Sequence, residues 1–186
     1  ATLGPLEQAG GDYALLRVPG VTGPFYTLRA SIETMKLQNV IAAGYPGAIL
    51  DSDANFQRLR DGDPQAIPDL SVTQGIVNTE QDLGPQTRAM IHTAVISPGN
   101  SGGPLVDSCG RAVGGNTFGR TMDNRHLNFA LATTDLIRFL EAQGVQTRNE
   151  GGPCVPSVRP PVAPPQTAAA EPDATQPDGA PATAQP

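Results

Sequence analysis

The chain has 186 residues, with 12 Lys and Arg against 18 Asp and Glu for a net charge of −6; hydrophobic residues make up 38% and aromatics 4%. The length suits one domain and is short for two, and the acidic balance without a basic stripe or lysine cluster argues against a nucleic-acid partner. No apolar run approaches the roughly 20 residues of a membrane span.

Along the chain, short apolar or β-branched runs alternate with Gly, Pro, Asp and Asn. Strands are predicted at "YALLRV" (13–18), "NVIAAG" (39–44), "SVTQGIV" (71–77), "AMIHTAVI" (89–96), "PLVD" (104–107), "RAVGGNTF" (111–118) and "LNFALA" (127–132). Many short strands at close intervals point to a sandwich or barrel. The stretch 51–69 is polar and Pro-bearing, and reads as a surface excursion with room for one helical turn. "TTDLIRFLEAQG" (133–144) is the one clear helix: Thr133 or Thr134 suits its N-cap and Asp135 its first turn, Leu136, Ile137 and Leu140 form an apolar face, and Gly144 suits its end. From about residue 153 onward the chain is Pro, Ala, Thr, Gln and Asp without an aromatic residue. Such a composition buries too little apolar surface to offset its ordering entropy. The expected organisation is a folded domain over 1–150 and a disordered Pro/Ala-rich tail or linker over 151–186.

The chain holds two cysteines, Cys109 and Cys154. They could remain two free thiols or close a loop of about 45 residues, which the chain-entropy model values at roughly 4 kcal/mol. A bond would imply an oxidising compartment, periplasmic or secreted. Neither histidine, His92 or His126, has a second His or Cys at ligand spacing, so neither a metal site nor a cofactor is expected.

The most specific stretch is "ISPGNSGGPLVD" at 96–107. A serine hydroxyl attacks a carbonyl only when a base takes its proton and donors stabilise the oxyanion. Two backbone N–H groups converge on one point only with unusual φ/ψ angles, which glycine tolerates. Asn-Ser-Gly-Gly is also good turn chemistry by itself.

"GNSGGPLVD" resembles the nucleophile motif of chymotrypsin-fold, trypsin-like serine peptidases, and most closely the bacterial HtrA/Deg-type branch. The resemblance runs through "SVTQGIV", "GRAVGGNTF" and "LNFALATTDLIRFL", covering about residues 11–143, with 51–69 matching least. It implies an all-β, chymotrypsin-like double β-barrel with a C-terminal helix, the first barrel incomplete in this chain. Ser101 matches the nucleophile, and Gly99, Asn100 and Ser101 match the oxyanion-hole turn, with the N–H groups of Gly99 and Ser101 as donors. Asn100 stands where digestive trypsin-like enzymes have an aspartate, which speaks against activation by a freed N-terminus. "GDYALLRV" resembles the segment that carries the triad aspartate, here Asp12. Val95 and Ile96 match the base of the primary specificity pocket, and Phe129, Ala130 and Leu131 its wall. An apolar base implies no cleavage after Lys or Arg and a preference for small or medium aliphatic P1 side chains.

The triad histidine of the family precedes the aspartate, and no histidine lies before Asp12. His92 and His126 read as a packed or surface imidazole each. The chain is therefore expected to be an N-terminally truncated piece of a serine endopeptidase that acts on polypeptide, inactive by itself. The alternative is a non-catalytic scaffold of the same fold that binds peptide.

Overall fold

The computed structural model describes residues 2–3, 12–33, 35–84, 87–122 and 125–155. Ten strands are β1 (Thr2–Leu3), β2 (Ala14–Leu15), β3 (Leu28–Arg29), β4 (Asn39–Gly44), β5 (Ser71–Gly84), β6 (Thr87–His92), β7 (Pro104–Asp107), β8 (Ala112–Met122), β9 (Arg125–Ala132) and β10 (Asn149–Glu150). Three helices, α1 (Gly47–Leu50), α2 (Ala54–Arg60) and α3 (Thr133–Ala142), complete the described elements.

Strand pairing runs β8-β7-β4-β5-β6-β9 and returns to β8 through the β8–β9 ladder, so these six strands close into a barrel. Closure removes the open edges that an unpaired sheet would present to solvent. Every ladder in the ring is antiparallel. The period-2 pattern aims alternate side chains inward: Val40 and Ala42 of β4 are buried to the last Å², as is Leu105 of β7. With Val77, Met90, Val113, Ala130 and Ala132 they form one contiguous core. Each large aliphatic side chain so buried contributes about 1.5–3 kcal/mol. The architecture is thus the all-β, chymotrypsin-like one implied by the sequence, with one complete barrel and a C-terminal helix.

Helix α3 packs the expected face, Leu136, Ile137 and Leu140, against Leu28 and Ala112. Its start differs from expectation. The N-cap is Ala132, without a side-chain cap bond. The one proton of the Thr133 hydroxyl instead points between the carbonyls of Arg29 at 2.8 Å and Val113 at 3.1 Å, fastening the helix to the barrel. Gly144, at φ +74°, turns the chain out of the helix as Val145 N–H donates back to the Leu140 carbonyl.

The segment predicted as a strand over 13–18 pairs only at β2, against β1. Beyond Leu15 no ladder partner exists among the described residues, and Leu16 and Val18 stay exposed. Within 51–69 the polar run holds more helix than one turn: Asp53 caps α2 by accepting the Phe56 N–H at 2.7 Å.

The described fold runs to Val155, past the expected boundary at 150; the expected tail from 156 onward lies outside the described residues. Residues 149–155 are held in three ways. Strand β10 lies parallel to β3, with Asn149 opposite Leu28. The Arg111 guanidinium donates to the carbonyls of Gly151 and Gly152 at 3.4 and 3.3 Å. Cys109 and Cys154 form a disulfide, which makes the paired reading of the two cysteines the correct one. Beneath it, Asp107 sits 2% exposed between Arg111 and Arg29.

Candidate active site

The turn after β6 carries the motif. Its end positions are pinned from both sides: Gly47 N–H donates to the Pro98 carbonyl at 2.9 Å, and Gly102 N–H to the Asn116 carbonyl at 2.8 Å. Inside the turn Asn100 N–H donates to the Ser97 carbonyl and Gly103 N–H to the Asn100 carbonyl. Gly99 has φ +104°, and a Cβ there would lie 2.4 Å from the Tyr45 carbonyl oxygen. Only glycine fits both the dihedral and the space.

This wiring sorts the three residues of the expected oxyanion hole. Asn100 is buried and its N–H is consumed by the turn, so it shapes the loop and offers no donor. The N–H groups of Gly99 and Ser101 have no acceptor among the described residues. Ser101 itself is exposed at the apex, and its hydroxyl donates to the Thr117 carbonyl at 2.7 Å. A peptide carbonyl holds that proton's direction but cannot take it, so the hydroxyl must leave Thr117 to meet a base.

Asp12 lines a different cavity from Ser101, the two cavities sharing Thr117. It lines a largely apolar cavity of about 390 Å³ together with Gly102, Gly103 and Thr117. The neighbouring residue fixes this position: Tyr13 donates its hydroxyl to the Ala132 carbonyl at 3.2 Å, and its ring sits 5.7 Å from that of Phe139. Burial, reinforced by Asp135, pushes the Tyr13 phenol well above its ordinary range, so it stays neutral and anchored.

A second depression, about 380 Å³, opens beside the serine and is lined by Ile96, Ser97, Pro98, Ser101, Thr117, Phe118, Gly119 and His126. The expected pocket residues divide here. Ile96 lines it. Val95 does not: β6 ends at His92, the chain leaves the sheet, and Val95 is 63% exposed, with its carbonyl accepting from Thr73. Phe129, Ala130 and Leu131 are buried in the barrel rather than at the depression. Phe129 supports it from behind by stacking on Phe118, centroids 4.6 Å apart. Phe118, Gly119, Ser97 and His126 are lining residues that the sequence reading missed.

Neither histidine bonds to Ser101. His92 is buried between β5 and β9, opposite Val77 and Asn128. Desolvation pushes its imidazole down to about 4, the Ala94 backbone opposing. The sign of the linkage follows. The unfolded chain binds a proton at this site below about pH 6.5 that the native fold resists until about 4. The contribution of His92 to stability is therefore complete above about pH 6.5 and is lost, to the extent of about 3 kcal/mol, as the pH drops through that window. Urea unfolding of the wild type and of His92→Gln between pH 7 and 4 checks this: the variant is expected to lose that part of the pH slope. His126 is exposed, and its Nδ1 lies 3.1 Å from the Thr121 hydroxyl.

The grouping of potential metal ligands among the described residues is Asp107, Cys109 and Cys154. The two sulfurs are bonded to each other and the carboxylate is occupied by arginines, so the donor set does not fit a cation.

The family model for the trypsin-like peptidase domain matches residues 1–114, more than half of the chain and a span that includes both Asp12 and Ser101. The chain belongs to the trypsin-like peptidase domain family. A curated relative of this trypsin-like domain is the uncharacterized protein y4bJ of Sinorhizobium fredii, 35% identical over an alignment of 144 residues that covers 72% of this chain and 20% of that protein. The chain thus spans about a fifth of that relative's length. Among solved structures, the Rv3671c protease in an inactive form is 20% identical with a TM-score of 0.49, over 68% of this chain and 58% of that one. The HtrA-type protease AlgW with a decapeptide is 24% identical with a TM-score of 0.47, over 64% and 33%.

Proposed function

We propose that this trypsin-like domain belongs to a serine endopeptidase, with Ser101 as the nucleophile and Asp12 as the acid that orients and stabilises the catalytic imidazole. In the proposed cycle Ser101 Oγ attacks the scissile carbonyl and forms an acyl-enzyme that water then hydrolyses. The oxyanion of each tetrahedral intermediate is received by the N–H groups of Gly99 and Ser101. The observation that carries this reading is the turn itself: a buried Asn100, a glycine at φ +104° and, beside an exposed hydroxyl, two N–H groups without an acceptor among the described residues. A peptide-binding scaffold requires none of these together.

The base is proposed to be a histidine supplied by polypeptide outside these 186 residues. His92 is buried away from the serine, and His126 is engaged with Thr121. The disulfide supports a periplasmic or secreted setting, since such bonds persist in oxidising compartments.

The test is digestion of unfolded casein by the intact protein at neutral pH, with the new N-termini identified by mass spectrometry. Internal cleavages are the expected result. Casein that is retained on the protein but never cut would favour the scaffold.

A further inference from the structure

The depression beside Ser101 contains one side chain able to carry charge, His126, and that residue is held in place by its surroundings. In the β8–β9 hairpin His126 pairs with Thr121, while Gly119 pairs with Asn128 two register positions further along the ladder. The Thr121 hydroxyl meets Nδ1 at 3.1 Å. The ring leans diagonally across the ladder onto Gly119, where a Cβ would fall 2.5 Å from Nε2 and 2.7 Å from Cε1. Any side chain at 119 would displace the imidazole from the depression. When the Thr121 hydroxyl donates to Nδ1, the ring proton resides on Nε2; in the imidazolium both nitrogens carry one. In both of these states Nε2 is a donor, whereas an Nδ1–H donating to Thr121 would leave Nε2 an acceptor; the Thr121 hydroxyl is taken here as the donor.

We infer that His126 makes this depression a subsite for an acidic P1 side chain, glutamate before aspartate. This inference rests on the proposed peptidase function and deepens it. Ile96 and Phe118 offer apolar surface to the methylene stem of glutamate. Nε2 of His126 donates to its carboxylate, and the hydroxyl of Ser97, on the same lining, supplies a second donor. A lysine or arginine at P1 would meet the imidazole with no carboxylate to receive its charge. The aliphatic preference implied by Val95 does not apply, because Val95 is not part of the lining. His126 acts here as a specificity-determining residue, and the base remains the histidine proposed to come from outside these residues; Nδ1 of His126 is engaged with Thr121.

The experiment uses the intact protein and quenched peptides that differ only at P1: Glu, Gln, Ala and Lys. Glutamine matches glutamate in size and lacks its charge, so the Glu/Gln ratio of kcat/KM isolates the carboxylate. A charge-assisted hydrogen bond predicts a ratio of about ten or more. In His126→Ala that ratio is expected to fall to about one, and in His126→Gln, a milder change at the same hairpin position, to fall as well. A wild-type protein that cleaves after Ala or Lys as fast as after Glu overturns the inference, and so does a Glu/Gln ratio that survives in both variants. Fluorophosphonate labelling of the same preparations separates the two levels. A wild type labelled at Ser101 without a preference for Glu loses this inference alone, whereas an unlabelled one loses the peptidase reading as well. A folded His126→Ala that no longer takes label would make His126 the base and overturn its assignment to specificity.

Discussion

Replacing Ser101 by alanine is expected to lower kcat of the intact protein by about 10⁴- to 10⁶-fold, the loss seen when a triad member is removed. KM should change little, because the hydroxyl is committed to the Thr117 carbonyl and Ser101 is one of several residues lining the depression. Stability should drop by no more than about 1 kcal/mol, the worth of one exposed hydrogen bond. Steady-state kinetics on a peptide cleaved by the wild type, paired with urea unfolding, separate these effects. Full activity in Ser101→Ala would contradict the assignment of the nucleophile. A loss of activity that tracked a loss of folding would show only that the turn had collapsed.

The largest effect on stability is expected at Asp107. Its carboxylate accepts from Arg111 Nε at 2.8 Å and from the N–H groups of Cys109 and Arg111 at 2.9 and 3.0 Å. Arg29 approaches it at 3.7 Å, and both guanidiniums are almost fully buried. Burial and the neighbouring Arg111 push Arg29 below its ordinary range; Asp107 opposes them, with Glu80 adding a smaller part. Asp107→Ala removes the only carboxylate of this trio and leaves two buried cations facing each other. Breaking a buried pair in this way costs about 3–5 kcal/mol. Two backbone donors at the β7–β8 turn are orphaned at the same time, which places the expected loss toward the upper end. Because Arg111 also holds the carbonyls of Gly151 and Gly152, residues 149–155 should exchange their amides faster as well. Urea denaturation with hydrogen exchange measures both, and a loss under about 1 kcal/mol would show that the cluster is not a structural centre.

Much of the barrel was legible because its strands obey a local rule. "NVIAAG" and "PLVD" are strands over the predicted residues, 39–44 and 104–107, each a short apolar run stopped by Gly, Pro or Asp. The rule fails where pairing is decided at long range. The two-residue strands β3 and β10 exist because they find each other across more than a hundred residues, and neither "LR" nor "NE" carries a signal of its own. Strand β5 was expected to stop at Val77 and continues to Gly84, because β6 offers a ladder along its whole polar second half. The missing Thr cap of α3 has a similar origin: the hydroxyl of Thr133 finds buried carbonyls on β3 and β8 that a local reading of the helix does not contain.

The site divides along the same line. The turn at Gly99–Gly103 could be read directly, since few residue types tolerate its geometry. Asp12, which lines one cavity with Gly102 and Thr117, is named by the family resemblance alone, and Tyr13 next to it bonds to the Ala132 carbonyl and packs its ring near that of Phe139. The lining of the depression beside Ser101 could not be read by counting back from the serine. Once β6 ends at His92 the alternation that would aim Val95 inward no longer applies. His126 could be placed only through the register of the β8–β9 hairpin and the bare backbone at Gly119. A histidine 25 positions beyond the nucleophile carries no local mark of sharing its depression.

The central claim is that Ser101 is an activated nucleophile, and the most direct measurement is reaction of the intact protein with a fluorophosphonate probe, followed by peptide mapping. The account predicts one adduct, on Ser101, abolished by Ser101→Ala. A folded intact protein that remains unlabelled at Ser101 would contradict it, leaving the turn as a feature of shape without the chemistry.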